Sequence, residues 1–203
     1  MNTIVIGDRF VRPSKIVCIG RNYVEHIAEL GNEIADEMVV FFKPNSAISR
    51  ELNAVHGEPL SYEGELSFVY EGGRFVAVGF GLDLTKRELQ SRLKQKSLPW
   101  ERAKAFDGAA TFSNFVVLEH EMDSLSMTLE INGAIVQSGN IGLMMYKPGD
   151  ILTGLAEFVS LTDGDIVMTG TPKGVGIIQL GDEFKGSVYA HGELLTCATW
   201  KAK

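Results

Sequence analysis

The chain has 203 residues, a hydrophobic fraction of 45%, a charged fraction of 22% and a formal net charge of −7. That length can bury a sizeable core in one domain, and an acidic balance with no basic stripe argues against nucleic acid or an anionic membrane as the main partner. Cys18 and Cys197 form no disulfide framework or zinc spacing, no apolar run nears the ~18 residues of a membrane span, and "MNTIVIGDRFVRP" lacks the pattern of a signal peptide, so the expected setting is the cytoplasm.

The chain reads as a single domain over 1–203, of which 1–14 form a short N-terminal segment. "KIVCIG" (15–20) is a buried strand with Cys18 in the core. "NYVEHIAELGN" (22–32) reads as a short helix closed by Gly31. His26 and Glu29 stand at i, i+3 on one of its faces. A carboxylate there would fix the imidazole tautomer and raise its basicity, which suits a general base. An exposed pair with no role fits the same spacing. "MVVFFKPNSAI" (38–48) is a strand broken by Pro44, and 49–62 is loop-like, with Gly57 and Pro59.

"YEGELSFV" (62–69) reads as a strand. In a strand, residues i and i+2 share a face, so Glu63 and Glu65 aim two like charges at one place. Such a pair needs a cation between its members, a shared proton or open water. A hard divalent cation would accept oxygen ligands of this kind. Asp83, at the end of "VAVGFGLDL", is the third candidate ligand. Taken alone, the glutamates fit either a metal site or a solvated strand edge.

Strands 65–71 and 74–84 are expected to join at the turn Glu71-Gly72-Gly73-Arg74. "TKRELQSRLKQKS" (85–97) is the clearest helix, with a capping-box pattern over Thr85–Glu88 and apolar Leu89 and Leu93 at i, i+4. Arg87 and Gln90 share another face, where a cation and an amide donor could hold an anion. Lys104, between alanines and Phe106, could be desolvated and polarise a carbonyl. "MTLEINGAIVQSGN" (127–140) signals a type I′ hairpin at Asn132-Gly133. "DILTGLAEFVSL" (150–161) reads as a helix. "GDIVMTGTPKGVG" (164–176) is a strand running into a glycine-rich loop able to bind a small carboxylate, and two strands close the chain. The class is α+β, mostly β. His56, His120 and His191 read as surface residues.

In order along the chain, "CIGRNYVEHIAELGN", "FFKPNSAI", "YEGELSFV", "GFGLDLTKRELQ", "LPWERAKAFD" and "GDIVMTGTPKGVG" resemble the fumarylacetoacetate hydrolase family. The small single-domain acylpyruvate hydrolases are the nearest in pattern. The most specific features are Glu-x-Glu, then Asp-x3-Arg-x2-Gln, then Thr-Gly-Thr-Pro. The tight turn between Glu65 and Asp83 is shorter than the link in most members.

The resemblance implies a mixed β-roll or sandwich, a homodimer and a Mg²⁺ or Mn²⁺ ion held by Glu63, Glu65 and Asp83. It implies that His26 and Glu29 activate water, with Gln90 and Lys104 polarising the reacting carbonyl. Arg21, Tyr23, Lys43, Arg87 and Thr171 would line the substrate pocket. The activity implied is hydrolytic C–C cleavage of an acylpyruvate-type β-diketo acid. Oxaloacetate decarboxylation or tautomerisation, and isomerisation of a 2-hydroxy-diene-dioate, could use the same site. A protein that only binds small dicarboxylates is the non-enzymatic alternative.

Overall fold

Side-chain alternation in a central hairpin sets the layers of the molecule. The computed structural model describes residues 1–29, 31, 33 and 35–203. In chain order the strands are β1 (Ile4–Ile6), β2 (Arg9–Val11), β3 (Lys15–Gly20), β4 (Val39–Pro44), β5 (Ile48–Ser49), β6 (Ser61–Tyr62), β7 (Gly64–Glu71), β8 (Arg74–Asp83), β9 (Ala110–Phe112), β10 (Val116–Val117), β11 (Leu125–Ile131), β12 (Ala134–Asn140), β13 (Ile166–Met168), β14 (Gly176–Ile177), β15 (Glu183–Ala190) and β16 (Glu193–Lys201). The helices are α1 (Val24–Glu29), α2 (Arg87–Gln95), α3 (Glu101–Lys104) and α4 (Pro148–Ala156).

A mixed sheet runs β4-β3-β13-β7-β8-β9-β5, with β10 added to β8. Its β3–β13 and β5–β9 pairs are parallel. An antiparallel sheet runs β12-β11-β15-β16. The α+β, mostly β architecture read from the sequence is therefore present.

Leu66 and Phe68 of β7 and Phe80 and Leu82 of β8 pack with Met127, Leu129, Phe184 and Val188 of the second sheet. Each such side chain contributes about 1.5–3 kcal/mol when fully buried. On the other face of β7, Val69 packs with Ile16, Cys18, Phe115 and Met168. Alternation puts Glu63 and Glu65 on this second face. Cross-strand register then adds Asp83: Glu65 pairs with Gly81, and Asp83 N–H donates to Glu63 O at 2.8 Å.

Several boundaries follow local chemistry rather than the sequence reading. The Thr85 capping box does not form. Lys86 is the N-cap of α2, without a side-chain cap, because Thr85 Oγ1 donates to Asp83 O at 3.3 Å and accepts from Lys104 Nζ at 2.6 Å. Glu58 caps the helix from outside, its Oε1 accepting from Glu88 N at 3.1 Å and Leu89 N at 3.2 Å. Helix α4 starts at Pro148 and ends at Ala156, earlier than expected at both ends. Pro148 occupies its first turn, and Asp150 Oδ2 accepts from Lys147 N at 3.0 Å. The turn α3, which carries Lys104, and the N-terminal hairpin β1–β2 were not anticipated.

The Asn132-Gly133 turn has positive φ at both residues, 52° and 81°, as type I′ requires. Gly31 follows α1 with φ +61°. Leu30, Asn32 and Ile34 lie outside the described residues, including part of the predicted 22–32 helix. Among the described residues, no helix is long and apolar enough to cross a membrane. Cys18 is buried and Cys197 exposed, both as free thiols. His56, His120 and His191 are exposed, as expected.

Candidate active site

A cleft opens where the ends of β7 and β8 meet α1, α2 and α3. Its lining includes Arg21, His26, Glu63, Glu65, Asp83, Arg87, Gln90, Lys104 and Thr171 from the expected set. Glu63, Glu65 and Asp83 are all buried, and one ligand-capable oxygen from each lies within 4.8 Å of the others. The strand period supplies two of these carboxylates, and the neighbouring strand supplies the third.

Three cations face them. Lys104 Nζ donates to Glu63 Oε2 at 2.8 Å, to Asp83 Oδ2 at 2.7 Å and to Thr85 Oγ1 at 2.6 Å. Arg87 Nη2 donates to Glu63 Oε1, and its Nη1 to Gln90 Oε1 at 3.0 Å. Lys43 Nζ lies 2.7 Å from Asp83 Oδ1. Burial works against the charge on Glu63, yet Lys104 and Arg87 overcome it and hold that carboxyl well below the usual carboxylate range. Glu65 goes the other way. Burial first, then Asp83 and Glu63, push its carboxyl well above that range, although the Gly170 N–H at 2.8 Å favours its charged form.

These residues fit a hard divalent cation. The donors are carboxylate oxygens, the ligand type Mg²⁺ and Mn²⁺ prefer. Buried Asp83 Oδ1 lacks a directed hydrogen bond despite its contact with Lys43. Glu65 has no cation partner among the described ion pairs, so a metal ion would supply the counter-charge that favours its ionised form.

The acid–base pair is also assembled. His26 Nδ1 lies 3.2 Å from Glu29 Oε2. A carboxylate only accepts, so in the neutral imidazole Nδ1 carries the proton and Nε2 keeps its lone pair. Glu29 Oε1 accepts from Gly174 N at 3.0 Å. The glycine-rich loop is thus occupied by the chain's own carboxylates: Gly170 binds Glu65 and Gly174 binds Glu29. These two N–H groups, which the sequence offers to a substrate carboxylate, are therefore already taken. Gly174 has φ +99°, and a Cβ there would lie 2.1 Å from Val136 O, so the close approach requires glycine.

Two expected pocket residues need correction. Tyr23 does not line this cleft; it is 2% exposed, and its hydroxyl donates to Asn140 O at 3.4 Å. Lys43 is fully buried behind Asp83 rather than in the cleft. Thr171 lines the cleft, but its hydroxyl bonds Gly64 O at 2.9 Å and Gln137 Nε2 at 2.8 Å.

The chain matches the family described as Fumarylacetoacetate (FAA) hydrolase C-terminal over residues 15–74 and 75–199. It belongs to the fumarylacetoacetate hydrolase family. Oxaloacetate tautomerase YcgM of Escherichia coli strain K12 is 34% identical over 196 residues, covering 88% of this chain and 90% of the relative. The solved structure of an Oleispira antarctica protein matches all of both chains with a TM-score of 0.93 and 31% identity. Fumarylpyruvate hydrolase of Pseudomonas aeruginosa, solved with Mn²⁺ and pyruvate, has a TM-score of 0.87 and 27% identity over 99% of this chain and 95% of that one.

This family member also brings Lys94, Trp100, Phe41 and Ile19 to the cleft, none of which the sequence reading named. Lys94 was within reach of it. Residues 87, 90 and 94 fall on one helical face by the arithmetic that selected Arg87 and Gln90. Trp100 and Phe41 carried no such signal, because they come from a loop and a strand brought together by folding.

Proposed function

We propose that this protein is a Mg²⁺- or Mn²⁺-dependent enzyme that interconverts the keto and enol forms of a short β-keto dicarboxylate of the oxaloacetate class. The observation that carries this reading is the convergence of a buried carboxylate triad and the His26–Glu29 pair on one cleft. When held by Glu63, Glu65 and Asp83, the divalent ion would supply Lewis-acid polarisation of the substrate's keto-acid end.

The chain's own residues do the rest. In the enolising direction His26 Nε2 takes a proton from the carbon beside the keto group and delivers it to the enolate oxygen, and ketonisation reverses both transfers, with Glu29 stabilising the imidazolium. Gln90 has its carbonyl engaged by Arg87, which leaves its NH2 as the donor end for a substrate oxygen. Arg87 anchors Glu63 while lining the cleft. Lys104 keeps Glu63 ionised and anchors Asp83. The E. coli relative's activity supports this assignment.

Hydrolytic cleavage of an acylpyruvate is the second reading. The same His26–Glu29 pair favours it, since it suits activation of water, as does the likeness to the Pseudomonas enzyme. It also needs donors for a tetrahedral oxyanion. Lys104, the donor expected for that task, has its three N–H bonds committed to Glu63, Asp83 and Thr85. Tautomerisation makes no such demand.

Product analysis separates the two. Enol-oxaloacetate and acetylpyruvate are each incubated with the Mg²⁺-loaded protein. Ketonisation of the first, without pyruvate release, supports tautomerisation; acetate and pyruvate from the second would support hydrolysis instead. The reading also includes a homodimer, which light scattering would show as twice the chain mass.

A further inference from the structure

Helix α2 presents a third side chain beside Arg87 and Gln90. Lys94 follows them at i+7 and i+4, and all three line the cleft. Seven residues advance a helix by about 10 Å, so Lys94 stands about two turns away from the carboxylate-binding end.

Its surroundings differ from those of the inner cations. Arg87, Lys104 and Lys43 each meet a carboxylate of the triad. Lys94 forms no ion pair among the described residues. Its ammonium lies 4.8 Å from the centroid of the Trp100 ring, which steadies the half-buried arm. Burial first, and then the charges of Arg21, Arg87 and Lys104, bring its pKa down to about 8. The inner end of the cleft therefore balances its cations with the chain's own carboxylates, whereas the outer end holds positive charge that awaits an anion.

We infer that Lys94 is a specificity-determining contact for the far carboxylate of a 2-keto dicarboxylate, with Trp100 fixing the reach of its arm. A substrate bound by its keto-acid end at the triad would direct its second carboxylate along the α2 stripe. A charge-assisted hydrogen bond there selects dicarboxylates over neutral or monoanionic analogues of the same shape. This inference rests on the enolising dicarboxylate reading given above, and it assigns that substrate's second charge to one residue.

The test reads binding as well as turnover. Wild type, Lys94→Gln and Lys94→Arg, each loaded with Mn²⁺, are titrated calorimetrically with oxaloacetate and with 2-oxosuccinamate, its isosteric C4 amide. Thermal unfolding of each variant checks that the fold is retained. Wild type should prefer the dianion by roughly tenfold or more. Lys94→Gln should lose that preference by weakening oxaloacetate alone, and Lys94→Arg should restore most of it. An undiminished preference in Lys94→Gln, equal weakening of both ligands, or no preference in wild type would each overturn the assignment. Absence of tautomerase turnover in wild type, with the Lys94-dependent preference intact, would defeat the proposed reaction but leave this contact standing.

Discussion

Glu29 Oε1 accepts a hydrogen bond from the Gly174 backbone N–H at 3.0 Å, which ties the histidine-bearing helix to the glycine-rich loop. The other oxygen of Glu29 faces His26, so one carboxylate positions both base and loop. Glu29→Gln keeps an acceptor for Gly174 but removes the charge behind the imidazole. Its kcat should fall about 10²-fold with little change in KM. Gly174→Ala should instead disturb the loop and cost about 1–3 kcal/mol of stability, given the φ and the clash with Val136 O. Steady-state kinetics and urea melts check both. Full activity in Glu29→Gln would remove the carboxylate from the mechanism.

Lys104 is the hub of the buried ion cluster, 2% exposed and bonded to two carboxylates. Lys104→Met leaves those carboxylates short of a counter-charge, and in EDTA it should lower stability by about 3–5 kcal/mol. Added Mn²⁺ should then raise the unfolding midpoint more than it does in wild type, because the cation meets a larger charge deficit. An equal shift in both proteins would mean that lysine and metal do not share the same carboxylates.

Glu65 behaves differently from its neighbours. Burial, Asp83 and Glu63 already disfavour its charge. Glu65→Gln should leave metal-free stability unchanged or raised, since an amide oxygen still accepts from Gly170 and no favourable charge is lost. The same substitution should weaken Mn²⁺ binding by at least about 100-fold. Titration calorimetry and denaturation read the two effects separately, and retained metal affinity would exclude Glu65 as a ligand.

Asp165 contributes to the acid limit of stability, away from the cleft. Its Oδ1 accepts from Ser14 N at 3.1 Å, Ser14 Oγ at 2.6 Å and Lys15 N at 3.1 Å. Its Oδ2 accepts from Lys15 Nζ at 2.5 Å and Thr162 N at 2.9 Å. Burial opposes its charge, but these donors hold its carboxyl below the ordinary value. The stabilisation is therefore fully present above the unfolded pKa of about 3.9 and fades as pH falls through the lower folded value. Asp165→Asn should cost about 2–4 kcal/mol at pH 7, with the gap to wild type narrowing below about pH 4. A gap independent of pH would show that the ionised form is not what the fold selects.

Much of this site was legible because it obeys short-range periodicity. Glu63 and Glu65 share a strand face at i+2, His26 and Glu29 a helix face at i+3, and Arg87 and Gln90 another. Asp83 needed one long-range fact, the β7–β8 register, which the Gly72-Gly73 turn and the bulge at Val69/Tyr70 set together. The hairpin at Asn132-Gly133 and the buried strand around Cys18 were equally local. Tyr23 and Lys43, which only the family resemblance offered, were misplaced because matching a motif does not report whether a side chain points into the cleft or behind it. The roles of Gly170 and Gly174 escaped as well. The loop's anion-binding N–H groups were evident, but not that Glu65 and Glu29, over a hundred residues earlier in the chain, already fill them. Thr85 looked like a helix cap and serves Lys104 instead, since a buried ammonium claims a hydroxyl more strongly than a half-exposed helix end does.

The most direct measurement follows ketonisation of enol-oxaloacetate by loss of its enol absorbance, using wild type and His26→Ala, each with Mg²⁺ and with excess EDTA. Metal affinity of both proteins is determined alongside. The account predicts rapid metal-dependent loss with wild type, loss at the uncatalysed rate in EDTA, and no catalysis by His26→Ala although its metal affinity is unchanged. Undiminished ketonisation in EDTA or by His26→Ala would contradict it.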